Sequence, residues 1–216
     1  MDLAQLKRIA IKGEGQILEF KKKANYPEKI VKEVVAFANS KGGRLLLGVD
    51  DDGTVSGTRN IEGEAFVVEK AIKELIKPRI DFQIELLKIN DKRGVAVFNI
   101  PEGNEKPYRA SENIDQEIGT AYIRCGDESV KTSKEMRQIL KRRNDTRDER
   151  FNYGEKEKKL MQILEEDKFT NVSTFAEKAN IPKFVASKTL VKLVLANLLT
   201  IEPSAQGDKY FVKETT

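Results

Sequence analysis

The first part of the chain, to residue 143, alternates between segments with a helical period and segments with a strand period. Apolar residues three or four apart predict helices, and short alternating or continuous apolar runs predict strands. The predicted helices span residues 3–10, 27–40, 61–77 and 133–143, and the predicted strands span 16–21, 44–49, 54–57, 82–89, 94–100 and 120–126. In strand 16–21, Glu19 and Lys21 are expected on the face opposite Leu18 and Phe20. This pattern predicts a mixed α/β unit.

The rest of the chain predicts a smaller second domain after a polar linker. Its predicted helices span residues 155–166, 174–179 and 183–198, and its predicted strands span 199–202 and 209–213. Thr174 and Glu177 match a capping box, and Leu190, Val194 and Leu198 are expected to face the core. Three helices followed by a two-stranded wing are typical of a winged-helix domain built on a helix-turn-helix. The predicted fold class is therefore α+β, with a first domain at 1–143, a linker at 144–154 and a second domain at 155–216.

Composition narrows the chemistry that the chain can perform. The sequence is 39% hydrophobic and 34% charged, which is typical of a globular protein. No window approaches the ~18 apolar residues of a membrane-spanning helix, and the amino terminus lacks the pattern of a secretory signal, so we expect a cytoplasmic protein without a membrane partner. Histidine is absent and Cys125 is the single cysteine, which excludes histidine-assisted nucleophiles, intrachain disulfides and cysteine–histidine zinc sites. A bound metal would need oxygen ligands, which favours Mg²⁺ or Mn²⁺.

Positive charge is concentrated in two parts of a sequence whose net charge is only +4. Eight cations and three anions lie between Lys7 and Lys32, and six cations and three anions lie between Arg137 and Arg150. Such clusters favour a polyanionic partner, although solvated helix faces and a charged linker would look the same.

Four ordered sequence blocks carry a resemblance to a known family. They are Glu14-x4-Glu19-Phe20-Lys21, the segment AFANSKGGRLLLGVDDDGTVSG at 36–57, KPY at 106–108, and YIRCGDESVKTSKEM at 122–136. Together they resemble the Schlafen-type Alba-like (AlbA_2) domain. The resemblance implies an α/β nucleic-acid-binding fold, which in bacteria is often followed by a winged helix and described as a DNA-binding transcription regulator. An ATP-binding role is also suggested for some bacterial members, but this sequence has no G-x-x-x-x-G-K-[ST] loop.

A second activity implied by the resemblance is metal-dependent cleavage of structured RNA, as in some animal Schlafen proteins. Carried over by motif, the catalytic and metal-binding carboxylates fall on Glu14, Glu19 and Asp51, with Asp50 as a close rival for the third position. Three converging carboxylates can hold Mg²⁺ or Mn²⁺, and Lys21 could pair with a phosphate. The alternative is that the two glutamates are solvent-facing charges and that the aspartates form a hairpin turn. The zinc site of the animal proteins cannot be built here, which weakens the transfer of their RNA preference.

The sequence therefore offers two groups of candidate nucleic-acid-binding residues. They are Lys21, Lys22 and Lys23 in the first domain, and Lys183, Ser187, Lys188, Lys192 and Lys209 in the second. On helix 183–198 the lysines are suited to phosphate contacts, and Ser187 or Thr189 could reach a base edge. The leading hypothesis is a bacterial DNA-binding transcription regulator that acts as a homodimer, because duplex readers commonly match two half-sites. The alternatives are the Mg²⁺/Mn²⁺-dependent endoribonuclease, an ATP-binding module, and a winged helix used for protein contacts.

Overall fold

The structure is a computed structural model that describes residues 1–143 and 153–213. The chain forms two compact units, Met1–Lys131 and Thr132–Thr216. The predicted linker at 144–154 lies largely outside the described residues. None of the described helices is long and apolar enough to span a membrane.

A four-stranded sheet forms the centre of the first unit. Its strands are β1 (Leu18–Lys21), β2 (Gly43–Leu47), β4 (Gln83–Asn90) and β5 (Arg93–Ile100), in the order β1-β2-β5-β4. β1 and β2 are parallel, and the other two pairs are antiparallel. A parallel pair needs a crossover connection, and helix α2 (Pro27–Asn39) provides it. The predicted strands at 16–21, 44–49, 82–89 and 94–100 are therefore confirmed, with ends shifted by one or two residues.

Helices cover both faces of this sheet. α2 and α3 (Ile61–Leu75) pack on the face that carries Leu45, Leu47 and Phe98. α1 (Leu3–Ala10) packs on the opposite face. The period-two alternation of strand side chains explains why Leu46, between Leu45 and Leu47, belongs to the α1 side.

Short strand pairs complete the first unit. They are β3 (Ile76–Lys77) with β6 (Arg109–Ala110), and β7 (Tyr122–Cys125) with β8 (Glu128–Lys131). β7 and β8 form a hairpin, because Gly126 has a φ of 64° and lets the chain reverse. The predicted strand at 54–57 is wrong, since those residues are irregular and Thr58 makes an isolated bridge to Gly94.

The second unit consists of four helices and a two-stranded antiparallel sheet. The elements are α4 (Lys134–Arg142), α5 (Glu155–Asp167), α6 (Val172–Lys178), α7 (Lys183–Leu195), β9 (Leu199–Glu202) and β10 (Lys209–Val212). α5 to β10 follow in the predicted order around a core that includes Leu160, Phe175, Leu190 and Tyr210. The sequence assigned α4 to the first domain, whereas the chain divides before it, and Glu135 of α4 accepts a hydrogen bond from α7.

Two predicted details of the second unit differ from the structure. α6 begins after Asn171, whose side chain accepts from Thr174 N, so the capping box at Thr174 and Glu177 is wrong. α7 ends at Leu195, three residues early, and Leu198 is 43% exposed instead of facing the core. Asn197 takes a left-handed conformation with a φ of 63°, which an α-helix cannot continue.

Candidate functional site

Glu14, which precedes strand β1, and Glu19, which lies on β1, are close together. Glu14 Oε1 accepts a hydrogen bond from Phe20 N at 2.8 Å. Burial of the Glu14 carboxyl raises its pKa, and the neighbouring charge of Glu19 raises it further. Glu19 itself is buried on the α2 side of β1, because the alternation of the strand points it away from Leu18 and Phe20. The alternative of two solvent-facing glutamates is therefore wrong for Glu19, whereas Glu14 is exposed.

The partner of Glu19 is Arg124 on β7. Arg124 Nη1 lies 2.9 Å from Glu19 Oε2 and 2.7 Å from Glu33 Oε2 on α2. Nη2 donates to Gly15 O at 2.6 Å, and the guanidinium lies 4.9 Å from the centroid of the Phe37 ring. The Arg124 side chain is fully buried. A buried cation with two carboxylate partners is a fixed part of the fold.

Lys21 and Ser129 complete this group, which we call the Arg124 cluster: Glu19, Lys21, Glu33, Arg124 and Ser129. Lys21 Nζ contacts the Glu19 carboxylate and donates to Phe20 O at 2.9 Å. Ser129 Oγ donates to Glu33. Burial raises the pKa of Glu33, and the adjacent Glu19 adds to the effect. Two carboxylates and two cations leave the cluster without net charge.

Asp50 and Asp51 lie in the turn after β2. Asp50 Oδ1 pairs with Lys22 Nζ at 2.7 Å, and the hydrogen bond from Lys22 lowers the pKa of Asp50. Asp51 is exposed. Lys23, the third lysine of the predicted group, is also exposed. The three lysines predicted to bind nucleic acid therefore differ. Lys21 and Lys22 already have carboxylate partners, whereas Lys23 is exposed.

The exposed side of α7 carries three of the predicted lysines. Lys183, Lys188 and Lys192 are exposed, and Phe184 beside them is 63% exposed. Lys188 Nζ lies 6.0 Å from the Phe184 ring centroid. None of the three lysines has a carboxylate partner among the described residues. We call Lys183, Phe184, Lys188 and Lys192 the α7 face.

Ser187 and Thr189 point away from the α7 face, contrary to the prediction. Both side chains are buried, and Ser187 Oγ donates to Glu135 Oε1 at 2.6 Å. Neither hydroxyl can reach a base edge in this arrangement. The helical period explains the error, because Ser187 lies next to Lys188 in sequence but about 100° away around the helix.

Lys209, the predicted contact on the wing, is exposed at the start of β10. Its Nζ lies 4.7 Å from the Phe169 ring centroid. Phe169 in turn packs against Phe211, with 5.8 Å between the ring centroids. The β9–β10 hairpin therefore presents an exposed cation beside the Phe169 ring.

A family model described as Schlafen, AlbA_2 matches residues 14–133, which is more than half of the chain. The chain belongs to this family. No curated protein matches it. The AlbA_2 match contains the whole Arg124 cluster and ends at the junction between the two compact units.

Two solved structures resemble parts of the chain. One is the crystal structure of the DIP2311 protein from Corynebacterium diphtheriae, with 19% identity, a TM-score of 0.42, and coverage of 59% of this chain and 24% of that protein. The other is the solution structure of the N-terminal domain of an ATP-dependent DNA helicase RecG-related protein from Nitrosomonas europaea. It has 18% identity, a TM-score of 0.41, and coverage of 71% of this chain and 99% of that domain. Scores this low support no conclusion about function.

The carboxylate triad implied by the Schlafen resemblance finds no support in the geometry of the AlbA_2 domain. Within residues 1–143 and 153–213, no three acidic or cysteine side chains are grouped so that they could hold a metal ion. Glu14 and Glu19 are neighbours, but Glu19 is held by Arg124 and Lys21. The triad with Asp51 stays a prediction.

The glycines Gly42 and Gly43 of the AlbA_2 domain have packing roles. A Cβ on Gly42 would lie 2.6 Å from Ile100 O, and a Cβ on Gly43 would lie 2.3 Å from the Phe37 ring. Gly42 N already donates to Phe37 O. This agrees with a helix stop that permits close packing, and ATP binding stays a prediction.

Sequence reasoning missed Glu33, Arg124 and Ser129. A usable signal existed for two of them. Arg124 interrupts the apolar run of a strand, and Glu33 lies on α2 three residues after buried Ile30 and four before buried Phe37. A charge on the buried side of an element requires a partner. The sequence alone does not say which partner.

Proposed function

We propose that the chain is a DNA-binding transcription regulator whose second unit is a winged-helix domain. The observation that carries the proposal is the α7 face, with three exposed lysines that lack carboxylate partners among the described residues. α6 and α7, joined by a short turn, follow the order of a helix-turn-helix, in which the second helix enters the major groove. Lysines on that helix would contact phosphates, which fix the register of a protein on the duplex.

Two further features support a nucleic-acid partner. Lys209 on the wing gives a cation outside the helix, next to Phe169, as expected when a wing contacts the backbone beside the major groove. Membership of the AlbA_2 family, for which the sequence resemblance implies nucleic-acid binding, adds an independent line of support. Buried Ser187 is not part of the proposed contact.

The test is a fluorescence anisotropy titration of labelled duplex DNA at a series of salt concentrations. A plot of log K against log salt has a negative slope. Each lysine that neutralises a phosphate increases the magnitude of this slope by about 1, because it releases counterions. We expect Lys188→Gln to weaken binding to all duplexes and to reduce that slope by about 1. Lys192→Gln should act in the same way.

The matched control is Lys158→Gln on α5, which removes the same charge from the same unit. Lys158 is paired with Glu155 at 3.0 Å and is 58% exposed. We expect its salt slope to equal that of the wild type. Absence of duplex binding at low salt, or equal slopes for Lys188→Gln and Lys158→Gln, would overturn the proposal.

We propose further that the regulator binds as a homodimer in the cytoplasm. A two-fold dimer would match a palindromic pair of half-sites one helical turn apart. Selection of binding sites from random duplexes should then enrich inverted repeats, and light scattering should give a mass near twice 24.5 kDa. A monomeric mass together with single, unrepeated half-sites would contradict the dimer but not the DNA contact.

The competing hypotheses have less support. An endoribonuclease would need Glu19 free to bind an ion, yet its carboxylate is engaged by two cations. An ATP-binding module would need a loop of backbone N–H groups around the phosphates. Gly42 and Gly43 instead lie in close contact with Ile100 and Phe37.

A further inference from the structure

A cleft of about 860 Å³ opens at one end of the four-stranded sheet. This is the end at which β1, β2 and β4 begin and β5 ends. The last turn of α1 and the loop that follows it, with Ile9 and Lys12, form one wall. The volume falls within the range of about 300–1,000 Å³ that is typical of small-molecule sites. The cleft lies wholly within the first unit.

The floor of the cleft is a row of polar side chains across three strands. Arg44 on β2 is directly opposite Asn99 on β5, which is directly opposite Gln83 on β4. Their neighbours Leu45 and Phe98 belong to the α2 side of the sheet, so the alternation of each strand turns the three polar side chains toward the cleft. A guanidinium and two amides at this spacing offer several hydrogen-bond donors on one surface.

The cations of the cleft have capacity to bind an anion. Lys12 and Lys41 have no ionic partner among the described residues. Arg44 lies near Glu85, but both oxygens of Glu85 are already engaged, by Met1 N at 2.7 Å and by Asn99 Nδ2 at 2.9 Å. The three cations exceed the lining carboxylates by one charge, because Glu14 and Asp81 also line the cleft.

Apolar residues also line the cleft, namely Ile9, Ile17, Phe82 and Ile100. Of these, Ile100 belongs to the α2-side core and Phe82 packs against it. Ile17 is 58% exposed, although it directly precedes a buried strand. Large apolar side chains that border open space next to a cation suit a ligand with one charged end and one apolar end.

We propose that this cleft binds a small organic monoanion, with an acid group on an apolar body of about the size of one or two rings. The acid group would lie against Arg44 and Lys12, and the apolar body would lie between Ile9, Ile17 and Phe82. A polyphosphate does not fit this charge balance, since the lining carries one net positive charge and Arg44 N is already bonded to Ile17 O at 2.9 Å. The inference does not depend on the proposed DNA contact.

The test is a titration of the full chain with anilinonaphthalene sulfonate, an aromatic monoanion whose fluorescence rises in an apolar site. We expect one saturable class of site. Arg44→Gln and Lys12→Gln should each weaken binding about tenfold or more. Loss of a charge-assisted hydrogen bond of about 1.5–3 kcal/mol corresponds to such factors.

The control is Lys70→Gln on α3, which removes a cation from an exposed helix face near the apolar residues Phe66 and Val67. It should bind the probe as the wild type does, and circular dichroism should show that all variants are folded. Equal affinity in Arg44→Gln, Lys12→Gln and Lys70→Gln, or binding that does not saturate, would overturn the proposal.

Competition identifies the chemistry of the ligand. Naphthoate and naphthyl phosphate should both displace the probe, and their relative strength distinguishes a carboxylate ligand from a phosphate monoester. Naphthalene methanol, which has the same body without the charge, should compete at least tenfold more weakly. If ATP competes more strongly than naphthoate, or if the uncharged alcohol competes equally, the proposed monoanion site is wrong.

Discussion

Replacement of Arg124 by methionine tests whether the Arg124 cluster is a structural element of the first unit. Arg124→Met removes the cation but keeps an unbranched apolar chain in the buried space. Glu19 and Glu33 would then face each other without the guanidinium that lies 2.9 and 2.7 Å from their oxygens. Removing one partner of a buried ion pair costs about 3–5 kcal/mol, because the remaining charge stays buried and unpaired. That is a large share of the 5–15 kcal/mol typical of a whole domain.

The assay is native-state hydrogen exchange of the amides in β2 and β5, which lie at the centre of the sheet. These amides report the opening of the first unit separately from the second. At about 1.4 kcal/mol for each factor of ten, the expected loss speeds their exchange roughly a hundredfold to several thousandfold.

The pH dependence of this loss follows from the Glu33 carboxyl. Burial already raises the pKa of Glu33, and removal of the Arg124 cation, which favours the charged form, should raise it further. A raised folded pKa contributes stability that is present at low pH and is lost as the pH rises through it. The destabilisation should therefore grow from acid to neutral pH.

The matched control is Lys70→Met, which removes a cation from an exposed pair with Glu74 at 3.9 Å. Exposed pairs contribute about 0–1 kcal/mol, so exchange in β2 and β5 should change by less than about fivefold. Equal exchange in Arg124→Met and Lys70→Met at neutral pH would refute the reasoning that the cluster stabilises the fold.

Three further predictions address other parts of the chain. Gly43→Ala places a Cβ 2.3 Å from the Phe37 ring, so urea denaturation should show a loss of about 1–3 kcal/mol. Burial raises the pKa of Asp208, whose carboxylate accepts from Ser133. The wild type should therefore lose stability relative to Asp208→Asn as the pH rises above 3.8, as measured by exchange in β9 and β10. When incubated with structured RNA and Mn²⁺, the wild type should cleave no more than Glu19→Gln does. Cleavage by the wild type that this variant abolishes would contradict a structural role for Glu19.

Local signals made the main elements of the first unit predictable. The stripe of Ile30, Val34 and Phe37 on α2 is buried as the helical period requires. Pro27 is at the start of that helix, and Gly42, with a φ of 76°, lies just beyond its end. Each signal acts over a few residues, so one sequence is enough to interpret it.

The Arg124 cluster was not predictable, because its parts are distant in sequence. Arg124 and Glu19 are 105 residues apart, and Arg124 and Glu33 are 91 apart. Their contact depends on β7 packing beside α2, which no local pattern encodes. The same limit hides the partner of Ser187, since Glu135 is 52 residues away.

The charge balance of the Arg124 cluster bears directly on the choice between a structural and a catalytic role for Glu19. Two carboxylates and two cations already neutralise one another. A divalent ion could bind Glu19 only by displacing Arg124 or Lys21 from it. Displacement of Arg124 would leave its buried guanidinium without one of its two carboxylate partners, which weakens ion affinity relative to a free carboxylate site. Catalytic use of Glu19 therefore requires a rearrangement that moves Arg124 or Lys21, whereas the proposed DNA binding through α7 requires no change in the cluster.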